Sequence, residues 1–225
     1  MIMNLPQRKS FEKRSNHQLA VLSEMLSPFL RFGAWLMSPK KATSPVCWRR
    51  VLIAGEMHIG DLLYRTCSLT QLKQGLPQCE FYYLTTDYEA DILYGNTAIR
   101  EVLPRLKSDR RYDFKNGALK HLRDLEFDAL LCTCARRAWP ELALAMKLRI
   151  PNRVAYAHRG LSGLITHPVY PHHPAPFPAY FRDMVSILTG QSPEWPLRPA
   201  VYPDLEDCEA AEKLWHEFGY KSSEK

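Results

Sequence analysis

The sequence lacks the cysteine patterns of metal sites and of disulfide scaffolds. Its six cysteines form no CxxC pair and show no zinc-type spacing. Several fall within predicted core strands or helices, so we interpret them as reduced, small hydrophobic side chains of a cytosolic protein. The histidines of the segment THPVYPHHPAPFP have no carboxylate or cysteine partner at ligand spacing. We therefore expect no metal site, and the prolines of this segment predict an extended connector.

The sequence also lacks a secretory signal peptide and a membrane-spanning segment. Its basic start is long, and the apolar part that follows is interrupted by Glu24, Pro28 and Arg31. Residues 1–50 carry a net charge of +7, whereas the remaining residues carry −1 of the total of +6. The basic character therefore belongs to the leader. Nothing in this distribution indicates a nucleic-acid partner, and we expect a cytoplasmic protein, peripheral on the inner face of the cytoplasmic membrane.

The leader contains a predicted amphipathic helix between His17 and Met37. Apolar residues recur on one helical face, and Phe32 and Trp35 widen it. Because Lys/Arg clusters flank this segment, residues 17–37 fit a helix that lies on an anionic membrane surface. A helix packed against its own domain fits the same pattern.

From Val46 onward, apolar strands alternate with helical segments, which is typical of a parallel α/β layer. Strands are predicted near 50–54, 79–84, 99–103, 128–133 and 152–156, and helices near 61–74, 87–94, 116–125, 137–148, 180–188 and 204–218. We divide the chain into a leader and linker (1–45), a Rossmann-like domain (46–190), and a linker with a final helix (191–225).

The stretch from Arg49 to Cys67 opens this layer as a strand, a glycine-bounded loop and a helix. In such units ligands bind between the carboxyl end of the strand and the amino end of the helix. Asp61 stands at the predicted helix start, where an N-cap is the commoner role for an aspartate and a general base is the alternative; nothing local decides between them. The loop GEMHIG lacks the GxGxxG spacing of a dinucleotide site, which argues against a small independent nucleotide-dependent enzyme.

Five segments in order carry a resemblance to a known family. They are Ile59-Gly60-Asp61 with Thr66, Gly75-Leu76-Pro77 with the strand at 79–85, NTAIREVLP at 96–104, Phe127-Asp128-Ala129-Leu130-Leu131, and RVAYAHRGLSGLITHPV at 153–169. Together they resemble glycosyltransferase family 9, the ADP-heptose:lipopolysaccharide heptosyltransferases. The resemblance runs from about Arg50 to about Tyr220. It implies the N-terminal, acceptor-side half of a GT-B architecture.

The resemblance also implies roles for particular residues. Asp61 would be the base that takes a proton from the acceptor hydroxyl, and Gly60 would lie beside the acceptor. Arg136 and Arg137 follow the fourth predicted strand and His158 and Arg159 follow the fifth, at the ligand-binding edge of a parallel sheet. Arginine suits phosphate because its planar fork offers paired donors, although solvated side chains at a helix start fit these positions as well.

Three positions differ from the family pattern. Gly55 stands where the family usually has an arginine, and Cys67 stands where it usually has a proline. After the fourth strand, Cys132-Thr133-Cys134-Ala135 replaces a polar Asp/His–Gly pair.

The implied activity is transfer of a sugar from an ADP-heptose-like nucleotide-sugar to a lipopolysaccharide or cell-surface glycan acceptor. No cofactor is expected, because the donor is a substrate that would bind a second domain. The chain ends at Lys225, about where that domain should begin. We therefore expect the chain alone to be inactive, with a separate donor-domain chain as a candidate partner. The alternative is a non-catalytic binding or interaction module.

Overall fold

The computed structural model describes residues 21–37, 41–55, 58–105, 118–134, 138–157, 160–170, 177–191 and 198–219. The strands are β1 Arg50–Ala54, β2 Glu80–Thr86, β3 Glu101–Arg105, β4 Ala129–Cys132, β5 Asn152–Tyr156 and β6 His167–Val169. The helices are α1 Ser27–Met37, α2 Ile59–Gly75, α3 Asp87–Ala90, α4 Ala118–Asp124, α5 Trp139–Lys147, α6 Phe177–Thr189 and α7 Leu205–Glu217. Short 3-10 helices cover Pro45–Cys47 and Asp91–Leu93.

The described strands form one parallel sheet in the order β3-β2-β1-β4-β5-β6. β1 lies inside the sheet, between β2 and β4, as a Rossmann-like layer requires. The two edge strands each contain a proline, Pro104 in β3 and Pro168 in β6. Proline has no backbone N–H to donate to a further strand, which fits positions at the two edges.

The two faces of the sheet bury separate hydrophobic cores. Val51 and Ile53 of β1 pack on one face against apolar side chains of α2 and α6. Leu52 and Ala54 point to the other face, which α1, α4 and α5 cover. Each residue from Val51 to Ala54 is apolar because both faces of a parallel strand are buried. The predicted α/β class, with helices on both faces of a parallel sheet, is confirmed.

Most predicted elements appear within a few residues of their expected bounds. The last helix begins at the predicted cap, Asp204, whose carboxylate accepts from the backbone N–H of Asp207 at 2.8 Å. It ends before Gly219, which has a φ of +77° that glycine adopts without strain. The prediction for α2 was wrong at its start: the helix begins at Ile59, with His58 at the N-cap position.

The extended connector predicted across 166–178 was wrong at 167–169, which form β6, and at its end, where α6 begins at Phe177; residues 171–176 lie outside the described residues. This strand pairs with β5 through Val154↔His167 and Tyr156↔Val169. The backbone N–H of Thr166 donates to the Arg153 carbonyl at 3.0 Å, and the Thr166 hydroxyl accepts from the Arg153 N–H at 2.7 Å. A strand of only three residues is too short for periodicity to reveal.

The His167 imidazole at this edge couples stability to pH. Its Nε2 lies 3.1 Å from the Thr43 carbonyl and its Nδ1 lies 2.9 Å from the Thr166 hydroxyl, which suits a neutral ring that donates to the first and accepts from the second. Burial lowers the pKa of His167, the Thr43 carbonyl opposes that shift, and the nearby Arg153 charge adds to it.

We expect the stability that depends on neutral His167 to be lost in acid. Because the folded pKa lies below the unfolded value of about 6.5, this stability is complete above that pH and declines as pH falls through the folded pKa. Urea unfolding of the wild type and His167→Gln at pH 7.5 and pH 5.5 measures the effect. The stability advantage of the wild type should shrink at pH 5.5, and an equal advantage at both pH values would contradict the assignment.

Candidate active site at the carboxyl edge of the sheet

The carboxyl ends of β1 and β4 lie side by side, with Ala54 paired to Cys132. β1 connects onward to one side of the sheet and β4 to the other, so this pair is the point where the strand order reverses. Ligands of open α/β sheets bind outside the strand ends at such a point. The amino end of α2 follows β1 directly, and its free N–H groups favour negative charge there.

Arg65 places a guanidinium at this junction, although its side chain is only 4% exposed. Its Nη1 donates to the Thr133 hydroxyl and its Nη2 donates to the Thr133 carbonyl at 2.9 Å. Thr133 in turn donates from its hydroxyl to the Ala54 carbonyl at 3.1 Å. Burial raises the pKa of the neighbouring Tyr83 hydroxyl, and the Arg65 charge opposes that rise. The junction is therefore a buried, hydrogen-bonded polar network.

Arg65 was not among the site residues predicted from the sequence, although the sequence carries a signal for it. Leu62, Arg65, Leu69 and Leu72 follow one another at helical spacings of three and four, so an arginine occupies a position of the buried face of α2. A charged residue at such a position indicates a buried polar partner. That partner, Thr133, lies within the segment that departs from the family pattern.

Gly55 is required by the same network. A Cβ atom at Gly55 would lie 2.4 Å from the Thr133 hydroxyl, 3.0 Å from the Cys134 backbone nitrogen and 3.3 Å from Nη1 of Arg65. No side chain fits there without displacing the β4 end. The family's usual arginine is therefore excluded at position 55, and the guanidinium at this junction comes from α2.

Asp61 and Gly60 lie in the first turn of α2, where Gly60 is exposed and Asp61 is half-buried. Since His58 occupies the N-cap position, the interpretation of Asp61 as the N-cap was wrong. The carboxylate still lies at the positive end of the helix. A Cβ at Gly60 would meet no atom within 4 Å, so the space beside Gly60 is open. Asp61 is thus a half-buried carboxylate next to the open space at Gly60, at the edge where parallel sheets bind ligands.

The other predicted binding residues, Arg136, Arg137, His158 and Arg159, lie outside the described residues. The described residues stop at Cys134 after β4, before Arg136 and Arg137, and at Ala157 after β5, before His158 and Arg159. Their roles stay predictions.

The buried cysteines near this edge act as small hydrophobic groups. Cys132 and Cys134 belong to the core on the α5 face, and burial raises the pKa of the Cys132 thiol well above its usual range. Cys79, at the opposite end of the sheet, has a pKa raised by burial to about 11. High thiol pKa values disfavour the reactive thiolate.

Solved structures of other proteins share this architecture. No family model matches the sequence, and a comparison with curated proteins finds no match. Among solved structures, the glycosyl transferase family 9 protein from Veillonella parvula DSM 2008 is similar, with a TM-score of 0.62 and 15% identity over 82% of this chain and 53% of that one.

Two E. coli structures are similar as well. Heptosyltransferase WaaC with ADP matches with a TM-score of 0.54 and 19% identity, over 65% of this chain and 49% of that one. ADP-heptose lps heptosyltransferase II matches with a TM-score of 0.51 and 16% identity, over 77% and 51%. The chain spans about half the length of the solved structures it matches. Its fold is the Rossmann-like α/β fold found in these GT-B glycosyltransferases.

Proposed function

We propose that this chain is the acceptor-side half of a glycosyltransferase. The complete enzyme would transfer a sugar from an ADP-heptose-like nucleotide-sugar to a lipopolysaccharide or other cell-surface glycan acceptor. The observation that carries the proposal is the half-buried carboxylate of Asp61 at the carboxyl edge of β1, on a fold similar to half of a family 9 glycosyl transferase and of two heptosyltransferases. The position fits both a proton acceptor and access for a large acceptor.

In this mechanism Asp61 accepts the proton of the acceptor hydroxyl as its oxygen attacks the anomeric carbon of the donor sugar. The new glycosidic C–O bond forms while the bond from the anomeric carbon to the phosphate oxygen breaks, and the nucleoside diphosphate leaves with that electron pair. Gly60 leaves open space for the approaching sugar. Arg136, Arg137, His158 and Arg159 are proposed to contact phosphate groups of the acceptor.

The donor would bind a second α/β domain, in the same polypeptide or in a partner chain. Helix α7 supports this part of the proposal, because all its side chains are exposed. One face of this helix carries Cys208, Ala211 and Leu214, and Phe218 continues that face just past the helix end. A neighbouring domain would bury that apolar face.

The second candidate is a binding module that holds an acceptor glycan without catalysis. The observation that favours it is the state of Arg65: its guanidinium is buried and already bound to Thr133. The Arg65 guanidinium therefore stabilises the fold at the junction. A transferase would need a free cation at this place to bind phosphate. Acceptor binding by the remaining groups at this edge would then be the whole function.

Fusion of this chain to the donor half of a family 9 heptosyltransferase tests the proposal. With ADP-heptose and heptose-free lipopolysaccharide, we expect the fusion to release ADP and to add heptose to the lipopolysaccharide. Glycan binding without transfer would support the binding module. Calorimetry with ADP on the chain alone should detect no binding in the micromolar range, and such binding would contradict the acceptor-side assignment.

A further inference from the structure

Helix α1 packs on the body through Leu30 and through its small and polar side chains. Ala34 is buried and joins the core that covers the α5 face, with Leu30 packed beside it. The Ser27 hydroxyl lies 3.0 Å from that of Ser162. A Cβ at Gly163 would lie 2.2 Å from the Ser27 carbonyl oxygen, so glycine permits the close approach of the helix.

The carboxylate of Glu24 faces the body as well. It accepts from the Ser162 backbone N–H at 3.2 Å and from the Ser162 hydroxyl at 2.6 Å. The Ser23 hydroxyl accepts from the Leu161 N–H at 3.1 Å. Glu24 is the single acidic residue between positions 21 and 41. Its engagement with Ser162 removes negative charge from the outward side of this segment.

The outward side of the same segment is apolar. Large exposed side chains cover it: Val21, Leu22, Met25, Phe29, Phe32, Trp35 and Leu36. Phe29 is 76% exposed, and the rings of Phe32 and Trp35 stack with centroids 5.9 Å apart. A surface helix ordinarily turns its apolar face inward. The inverted packing of α1 therefore indicates a partner for the outward face.

Cationic groups lie at the carboxyl end of this face. A groove of about 530 Å³ is lined by Leu36, Met37, Met146, Arg123, Lys147 and Arg149. Among the residues that the structure describes, its lining combines three apolar side chains with three cations and contains no carboxylate. Arg31 is also exposed on α1, and the sequence adds Arg8, Lys9, Lys13 and Arg14 before the helix and Lys40 and Lys41 after it. An apolar surface beside a cationic groove is complementary to an anionic bilayer, in which acyl chains lie beside phosphate head groups.

We propose that the outward face of α1 and this cationic groove form one docking surface for an anionic phospholipid bilayer. The helix would lie in the plane of the interface, with Phe29 and Trp35 inserted between head groups and Arg123 and Lys147 of the groove paired with lipid phosphates. No helix within the described ranges is long and apolar enough to cross a membrane. A second copy is a poorer occupant, because pairing this face would bring two strongly basic segments together. The proposal is independent of the transferase function.

Flotation of the full chain with vesicles tests the docking surface. We expect binding to phosphatidylcholine vesicles that contain phosphatidylglycerol, weaker binding at high salt, and little binding to phosphatidylcholine alone. Because each buried aromatic ring contributes strongly to partitioning, Phe29→Ser and Trp35→Ser should each weaken binding about tenfold or more. Phe218→Ser is the matched control, since Phe218 is 77% exposed but lies beyond α7.

Neutralising single charges distinguishes the contribution of the groove to vesicle binding from that of the helix. Arg123→Gln and Lys147→Gln should each weaken binding to the anionic vesicles about fivefold, whereas Lys213→Gln on α7 should leave it unchanged. Equal binding to neutral vesicles, or an equal loss with Phe218→Ser, would overturn the proposal. A dimer in ultracentrifugation that Phe29→Ser dissociates, without vesicle binding by the wild type, would assign the face to a second copy instead. Circular dichroism checks that each variant is folded.

Discussion

Replacement of Asp61 by asparagine is expected to lower the transfer rate of the assembled two-domain enzyme by roughly two to four orders of magnitude. The substitution removes the proton acceptor and keeps the shape of the side chain. The fold should be retained, because Asp61 is only half-buried, lies in the first turn of α2 and is not its N-cap. The measurement is the rate of ADP release by the fusion with a family 9 donor half, compared with its Asp61→Asn form.

The matched control is Asp124→Asn. Asp124 is an exposed carboxylate at the end of α4, just before β4 begins, and so lies at the opposite edge of the sheet. We expect this variant to transfer at the wild-type rate. A folded Asp61→Asn fusion with near-normal transfer would remove the catalytic role of Asp61. An equal loss in both variants would point to a general electrostatic effect.

Truncation of Trp48 to alanine is expected to cost about 3–5 kcal/mol in the free energy of unfolding. Trp48 is fully buried just before β1 and packs in the core formed with α2 and α6. Its ring meets the His167 imidazole edge-on with centroids 5.3 Å apart, and its Nε1 donates to the Thr43 carbonyl at 3.3 Å. The truncation would therefore leave a cavity and loosen the contact with β6.

Urea denaturation measures this loss, and Val46→Ala is the control. Val46 lies in the adjacent 3-10 helix but is largely exposed, so its truncation should change the free energy of unfolding by less than about 0.5 kcal/mol. If Trp48→Ala were no more destabilising than Val46→Ala, the result would contradict a stabilising role for Trp48 in the core and at its contact with β6.

The sheet was predictable from the sequence because buried parallel strands have a local signal. Val51 to Ala54 are apolar without interruption, and a glycine ends the run. The alternation with amphipathic helices then restricts the fold to a doubly wound layer, since parallel strands need crossover connections. The final helix was also predictable, because Asp204 and Gly219 provide local start and stop signals.

The candidate site was only partly predictable. Asp61 and Gly60 follow from their place after the first strand, and the structure leaves Gly60 exposed and Asp61 half-buried at the carboxyl edge. The helix start itself was misplaced, because propensity does not locate an N-cap to within two residues. The bond between Arg65 and Thr133 joins residues 68 positions apart, so no local pattern could show it.

The sequence by itself determined the α/β class, the central strand and the amphipathic character of the leader helix, because these follow from local periodicity. Only the tertiary structure decided which side of that helix faces the body. Periodicity measures the contrast between two faces, whereas packing depends on shape: Ser27, Ala34 and Gly163 permit close approach, and Glu24 finds its donors on Ser162. The bulky side of α1 is consequently left outward, where we propose that it meets the membrane.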